Sequence, residues 1–135
     1  MNKAIAIAAV VIAAGIGGWF VIDSDTPTDT PLVGVVVPAT FSDRAMIGQR
    51  AYDANCAQCH GANAAGQDGA APPLVHKIYE PSHHGDESFQ RAVAQGVRGH
   101  HWPFGDMAPV AGLSRADVAM IVAYVRELQR ANGIN

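Results

Sequence analysis

Cys56-Ala57-Gln58-Cys59-His60 holds the chain's only two cysteines, three positions apart, with a histidine directly behind the second. Two thiols on one turn can add across the two vinyl groups of a porphyrin. The adjacent imidazole is then carried beneath the iron, where a ring nitrogen can ligate it. Other chemistries compete for the same residues. A disulfide closing so short a loop would constrain the unfolded chain little. A dithiol redox pair belongs among alternating strands and helices, whereas the flanks here read as helical and glycine-rich. A zinc site of two cysteines and two distant histidines is the strongest rival, but it does not account for a histidine immediately after Cys59. Covalent haem c, one per chain, is the expectation.

Such a group needs helices and loops to enclose it. Ser42 is a plausible N-cap with Asp43 in the first turn, opening a helix that runs to about Asn55. Gly61 to Pro73 reads as a loop. Asp86 opens a second helix, Glu87 to Gln95, stopped by Gly96. Val97 to Gly112 carries three glycines and two prolines around Met107 and reads as a second long loop. Ser114-Arg115-Ala116-Asp117 resembles a capping box with Asp at the Glu position. Val118, Ile121, Val122, Val125 and Leu128 then recur at helical spacing as a buried stripe ending before Asn132-Gly133. Met46 and Met120, inside helices, read as core. No convincing strand pair appears. The fold class is all-α: about three helices around the haem in a domain spanning 41–135.

Ahead of that domain, Ala4 to Ile22 carries no charge over 19 positions, close to the ~20 that a helix needs to cross a bilayer. A cleaved signal normally has a shorter apolar region of ~7–15 residues, and no clean small-x-small site follows. Residues 1–22 are therefore expected to be an uncleaved transmembrane signal anchor, with Trp19 and Phe20 near one interface. Lys3 precedes the span and Asp23, Asp25 and Asp29 follow it, so the remainder should lie outside, in a periplasm. Thioether attachment, which needs export, agrees. Residues 23–40 mix Pro, Thr and Asp and read as a linker, with the valine-rich stretch before Pro38 either a strand on the domain or a stiff continuation. No regular structure is expected there. All 12 acidic residues and all but one of the 9 basic ones follow Ile22, so the whole chain's formal charge of −3 becomes −4 beyond the span. No basic cluster suggests nucleic acid.

From Phe41 to Ala131 the chain resembles class I cytochrome c. The resemblance rests on the first helix leading into Cys56-Ala57-Gln58-Cys59-His60-Gly61, on Ala71-Pro72-Pro73-Leu74, on Gly105-Asp106-Met107-Ala108-Pro109 and on Tyr124-Val125-Arg126-Glu127-Leu128. It implies that Cys56 and Cys59 carry the thioethers and that His60 is the proximal ligand. It also implies that the Pro72 carbonyl accepts the N–H of that imidazole and that Met107 is the distal ligand, 47 residues after His60. Gly48 and Tyr52 resemble the small-and-aromatic pair that crosses the terminal helix near Tyr124. One departure is Ala108, which stands where the family often has proline directly after the methionine.

The implied function is one-electron transfer between redox-protein partners at a bacterial inner membrane, with no small-molecule substrate and no catalysis. His76, His83, His84, His100 and His101 leave other readings open. The pairs at 83–84 and 100–101 suit copper, which would make the chain a copper-binding or metal-oxidising cytochrome. His100 or His101 in place of Met107 is a second alternative. An open distal site would instead suit a gas sensor. As plain loop residues, the histidines would bond backbone carbonyls or haem propionates, with Arg98 and Trp102 as further propionate partners.

Overall fold

The computed structural model describes residues 30–135, so the expected membrane span 1–22 and the first part of the linker lie outside the described residues. Four helices follow one another: α1 (Asp43–Asn55), α2 (Ala57–His60), α3 (Asp86–Gln95) and α4 (Arg115–Ala131). Single 3-10 turns lie at Ala62–Ala64 and Lys77–Tyr79. Among the described residues there is no strand, only the isolated bridges Gln67–Ala71 and Val97–Met107. None of the described helices is long and apolar enough to cross a membrane. The three expected helices are present, and α2 is added by the turn that carries Cys59 and His60.

The frame is the crossing of α1 and α4. Its closeness depends on Gly48, whose missing side chain would sit on the Met120 carbonyl and peptide carbon. Removing a Cβ lets backbone meet backbone, so the residues around the crossing can interdigitate. Tyr124 packs there between Phe41 (ring centroids 5.2 Å apart) and Tyr52 (5.4 Å) in tilted pairs. Such aromatic pairs add about 0.5–1.5 kcal/mol beyond the area they bury. Leu128 and Val125 are fully buried beside them. The face of α1 that meets α4 is Ala45, Gly48 and Tyr52, at helical spacing. Met46 and Ile47 point away from it and are 41% and 48% exposed, which corrects the reading of Met46 as core.

Both long helices begin on side-chain caps. Ser42 Oγ accepts the Ala45 N–H at 3.3 Å and donates to Glu127 Oε1 at 2.6 Å, tying the start of α1 to α4. Ser114 and Asp117 form the reciprocal capping box. The Ser114 hydroxyl, and then its N–H, donate to the Asp117 carboxylate and hold that pKa below the usual range.

The stretch before the domain adopts no regular structure but is not free of it. The Leu32 and Val33 N–H groups both donate to the Ala65 carbonyl. Asn132 clamps Val36 through two hydrogen bonds of 2.8 Å, one in each direction. From Leu32 onward this segment lies on the domain.

Candidate haem site

Cys56 closes α1: its N–H donates to the Tyr52 carbonyl at 2.7 Å, and the chain turns directly into α2. One helical turn then brings Cys56, Cys59 and His60 together. Both cysteines are free thiols, Cys56 half-buried and Cys59 exposed. Burial first, then the neighbouring Cys59, pushes the Cys56 thiol up to about 11. Redox-active cysteine pairs depend on a lowered pKa and a standing thiolate, the opposite of the direction in which burial moves Cys56. The zinc alternative also loses ground, since the one group of metal-ligating side chains gathered among the described residues contains no cysteine.

His60 Nδ1 lies 2.9 Å from the Pro72 carbonyl. A carbonyl only accepts, so Nδ1 carries the proton and Nε2 is left with its lone pair free. Although the residue keeps some accessible surface, protein atoms crowd its ring. That burial holds the imidazole pKa below its ordinary value, opposed by the bond to Pro72. A neutral imidazole with one fixed tautomer is the form a metal ligand requires.

Pro72 is held in place by a folded-back loop. Asn63 and Ala64 adopt left-handed backbone at φ 54° and 58°, each at a cost of order 1–3 kcal/mol. In that conformation the Ala64 carbonyl accepts both the Leu74 and the Val75 N–H, just beyond Pro72-Pro73. Tyr124 supports the bend from α4, donating to Asn63 Oδ1 at 3.2 Å. Tyr52 donates to the Gly61 carbonyl at 2.9 Å. The aromatic pair at the helix crossing thus also steers the loop that reaches His60.

Met107 sits on the second loop. It exchanges two backbone hydrogen bonds with Val97, of 2.9 and 2.8 Å. Gly96 makes room for this pairing: at φ +76° it lies in the region that favours glycine, and a Cβ there would strike the Met107 carbonyl. Asp106 Oδ1 accepts the Gly99 N–H at 2.8 Å and closes the loop further. Met107 is half-buried.

Two features were not legible in the sequence. Arg126 is 7% exposed. It donates to Asp86 Oδ1, to the Tyr79 and His84 carbonyls and to Gln129 Oε1, with its guanidinium 5.1 Å from the Phe89 ring centre. Fully buried Gln129 donates to the Leu74 and Tyr79 carbonyls. Together they bind the loop 74–84 to α4. By residue type Arg126 and Gln129 look solvent-facing in a bare sequence, although they stand four positions after the buried Val122 and Val125 on the same face of α4.

The second pair of features concerns Trp102 and the histidines. The Trp102 indole N–H is buried and has no partner in the protein; the Tyr79 phenol is near enough to be influenced by it but the two do not meet in hydrogen-bond geometry. His76 packs edge-on against Trp102 at 5.1 Å. His83, His84, His100 and His101 cluster ring against ring, His100 and His101 at 4.2 Å. Loss of solvent, then the charges His100, His84 and His83 would carry, hold the His101 imidazole below its ordinary value. Arg98 is exposed.

A family model described as cytochrome c matches residues 45–129. The chain belongs to the cytochrome c family, which binds covalent haem c and carries electrons. A search of curated proteins found no match. The residues present fit that group: two thiols on one turn, a neutral imidazole directly after the second of them, and a buried indole N–H that none of the described residues satisfies.

Proposed function

We propose that this chain is a membrane-anchored, single-haem electron carrier with His60 and Met107 as the axial pair. When bound, haem c supplies a one-electron ferric/ferrous couple. Cys56 and Cys59 fix it to α1 and α2 through thioethers. His60 presents Nε2, with ring orientation set by the Pro72 carbonyl, a hydrogen bond that also raises the basicity of the ligating nitrogen. Met107 presents a thioether, which favours a higher potential than a second imidazole. The Val97 pairing and Gly96 keep it from swinging away. With both axial positions filled by the protein, no substrate is bound at the centre and no covalent step is required. Donor and acceptor are redox proteins that meet the domain transiently.

The His60–Pro72 hydrogen bond carries this reading. It spends the Nδ1 proton on a carbonyl and leaves Nε2 for iron, an arrangement that a solvent-facing histidine would not need. The uncharged run within residues 1–22 supports the anchor, and the charge asymmetry around it supports a periplasmic domain. A tether of this kind raises the carrier's effective concentration at membrane partners.

The test is direct. The chain, expressed with haem-attachment machinery, should gain the mass of one haem and show the weak thioether-to-iron band in its ferric spectrum. Met107→Ala should abolish that band while the added mass stays. A colourless product at the bare polypeptide mass would overturn haem attachment. A band that persists in Met107→Ala would overturn the distal ligand alone.

A further inference from the structure

We propose that His83, His84 and His101 form a second metal site, for a divalent late first-row transition metal, apart from the haem centre. One ligand nitrogen from each ring lies within 4.8 Å of the others. Ligand nitrogens around a tetrahedral ion at ~2.0–2.1 Å stand ~3.3 Å apart, so the two exposed rings must close by up to about 1.5 Å. His83 and His101 are exposed and turn freely about their side-chain torsions; His84 is half-buried.

His84 is the fixed member. Its Nδ1–H donates to the Ile78 carbonyl at 2.7 Å, which leaves Nε2 as the ligating atom. Metal-binding histidines ordinarily give their other ring N–H to such an acceptor. The His84 carbonyl is in turn gripped by buried Arg126 of α4. The ring is thus tied at two points to the domain before any ion arrives, while the two movable rings face it from 4.7 and 5.4 Å. His100 lies tilted against His101, with Nδ1–H given to the Arg98 carbonyl. His76 is excluded by the opposite hydrogen bond: the Ile78 N–H donates to its Nδ1, and its ring packs on Trp102 instead.

Three neutral imidazoles with no carboxylate suit zinc and copper over magnesium or calcium, and affinity should follow the order that places Cu²⁺ above Zn²⁺. A fourth position remains for water. The loops that carry the rings, before α3 and after it, set the three imidazoles edge-on or tilted against one another. Histidines set at random on a surface do not share one first-anchored, two-mobile geometry.

The experiment uses the full haem-loaded chain, stripped with chelator and mixed with CuCl₂, then desalted. We expect one copper per chain, nitrogen hyperfine splitting in its electron paramagnetic resonance spectrum, and an unchanged haem optical spectrum. In His83→Ala/His101→Ala the dissociation constant should rise by at least about 100-fold, beyond what loss of a supporting contact costs. Both replaced residues are exposed, and the retained haem spectrum reports that this variant folds. No retained copper in the parent chain overturns the site. So does equal retention by the double variant, or a haem spectrum that changes in step with copper. The copper count and the haem bands are read separately, so this proposal and the axial-ligand assignment fail independently.

Discussion

The two sides of the candidate haem site are built on different principles. On the His60 side everything is anchored to the α1–α4 crossing: α2 continues from α1, Tyr52 holds the Gly61 carbonyl, and Tyr124 holds Asn63. The Met107 side meets a helix at one place, where the Val110 N–H donates to the Val93 carbonyl of α3. It is a loop closed by two backbone hydrogen bonds to Val97 and one from Gly99 to Asp106. Such bonds contribute about 1 kcal/mol each, so the first side is coupled to global stability and the second opens locally at lower cost. The contrast teaches that damage to the first side should unfold the domain, while damage to the second should change the ligand and leave the fold standing.

The largest effect falls on attachment. Cys56→Ala/Cys59→Ala should yield polypeptide of bare mass with little cooperative thermal unfolding, because a domain of this size has a modest core and loses the group that fills it. Mass spectrometry and calorimetry decide the matter. A colourless variant that still melts sharply near the parent's temperature would show that the α1–α4 frame is self-sufficient.

Next comes the crossing itself. Gly48→Leu drives a side chain into the Met120 carbonyl, where neither backbone has room to yield. Overpacking of this kind costs about 3 kcal/mol or more, read as a lower guanidinium midpoint with the axial ligand band intact until unfolding. Loss of the band well before unfolding would contradict the division between the two sides.

Gly96→Ala strikes the other half. It combines a positive φ with a Cβ against the Met107 carbonyl, and the strain, of order 1–3 kcal/mol, is comparable to what the loop's few bonds contribute. The ferric thioether band should vanish as in Met107→Ala, with the midpoint lowered much less than in Gly48→Leu. A variant that keeps the band and loses global stability would reverse the comparison.

The same division explains what was readable in advance. α4 was plain in the sequence, since Ser114 and Asp117 announce its start and Val118, Ile121, Val122, Val125 and Leu128 are the residues it buries. α3 was found to within a residue, because Asp86 and Gly96 mark its ends. Local chemistry sets these elements, and local chemistry is what a sequence displays. Arg126 and Gln129 escaped notice because their worth lies in carbonyls 42 to 55 residues away. Met46 was misread for a related reason: helix membership does not say which face meets α4, and Gly48 chooses that face. The pairing of Val97 with Met107 was equally hidden, whereas the His60–Pro72 contact had been implied by family resemblance before any distance was known.

Ser42→Ala tests how far the frame depends on one cap. It removes the bond to Ala45 and the link to Glu127, and a lost N-cap costs about 1 kcal/mol. The thermal midpoint should fall by a few degrees with no spectral change. A shift in the ligand band would mean that the α1 start is felt at Met107, which the structure gives no route for.

Trp102→Phe should have the smallest effect and is the most selective. Trp102 lies on the Met107 side of the division, stacked on Phe104 at 6.1 Å and packed against His76. Its buried N–H lacks a protein acceptor, and a buried donor left unmatched costs about 1–3 kcal/mol. If a haem propionate accepts it, the oxidised and reduced states gain unequally, because the hydrogen bond disperses negative charge that stabilises the ferric state. Phenylalanine keeps an aromatic ring against Phe104 and His76 but deletes the donor, leaving the propionate charge less dispersed. The reduction potential should therefore fall, by about 40 mV for ~1 kcal/mol in a one-electron couple, while thermal stability and the thioether band hold. An unchanged potential with a raised melting temperature would mean that the indole N–H is simply an unmatched donor, and that this wall of the site is set by packing alone.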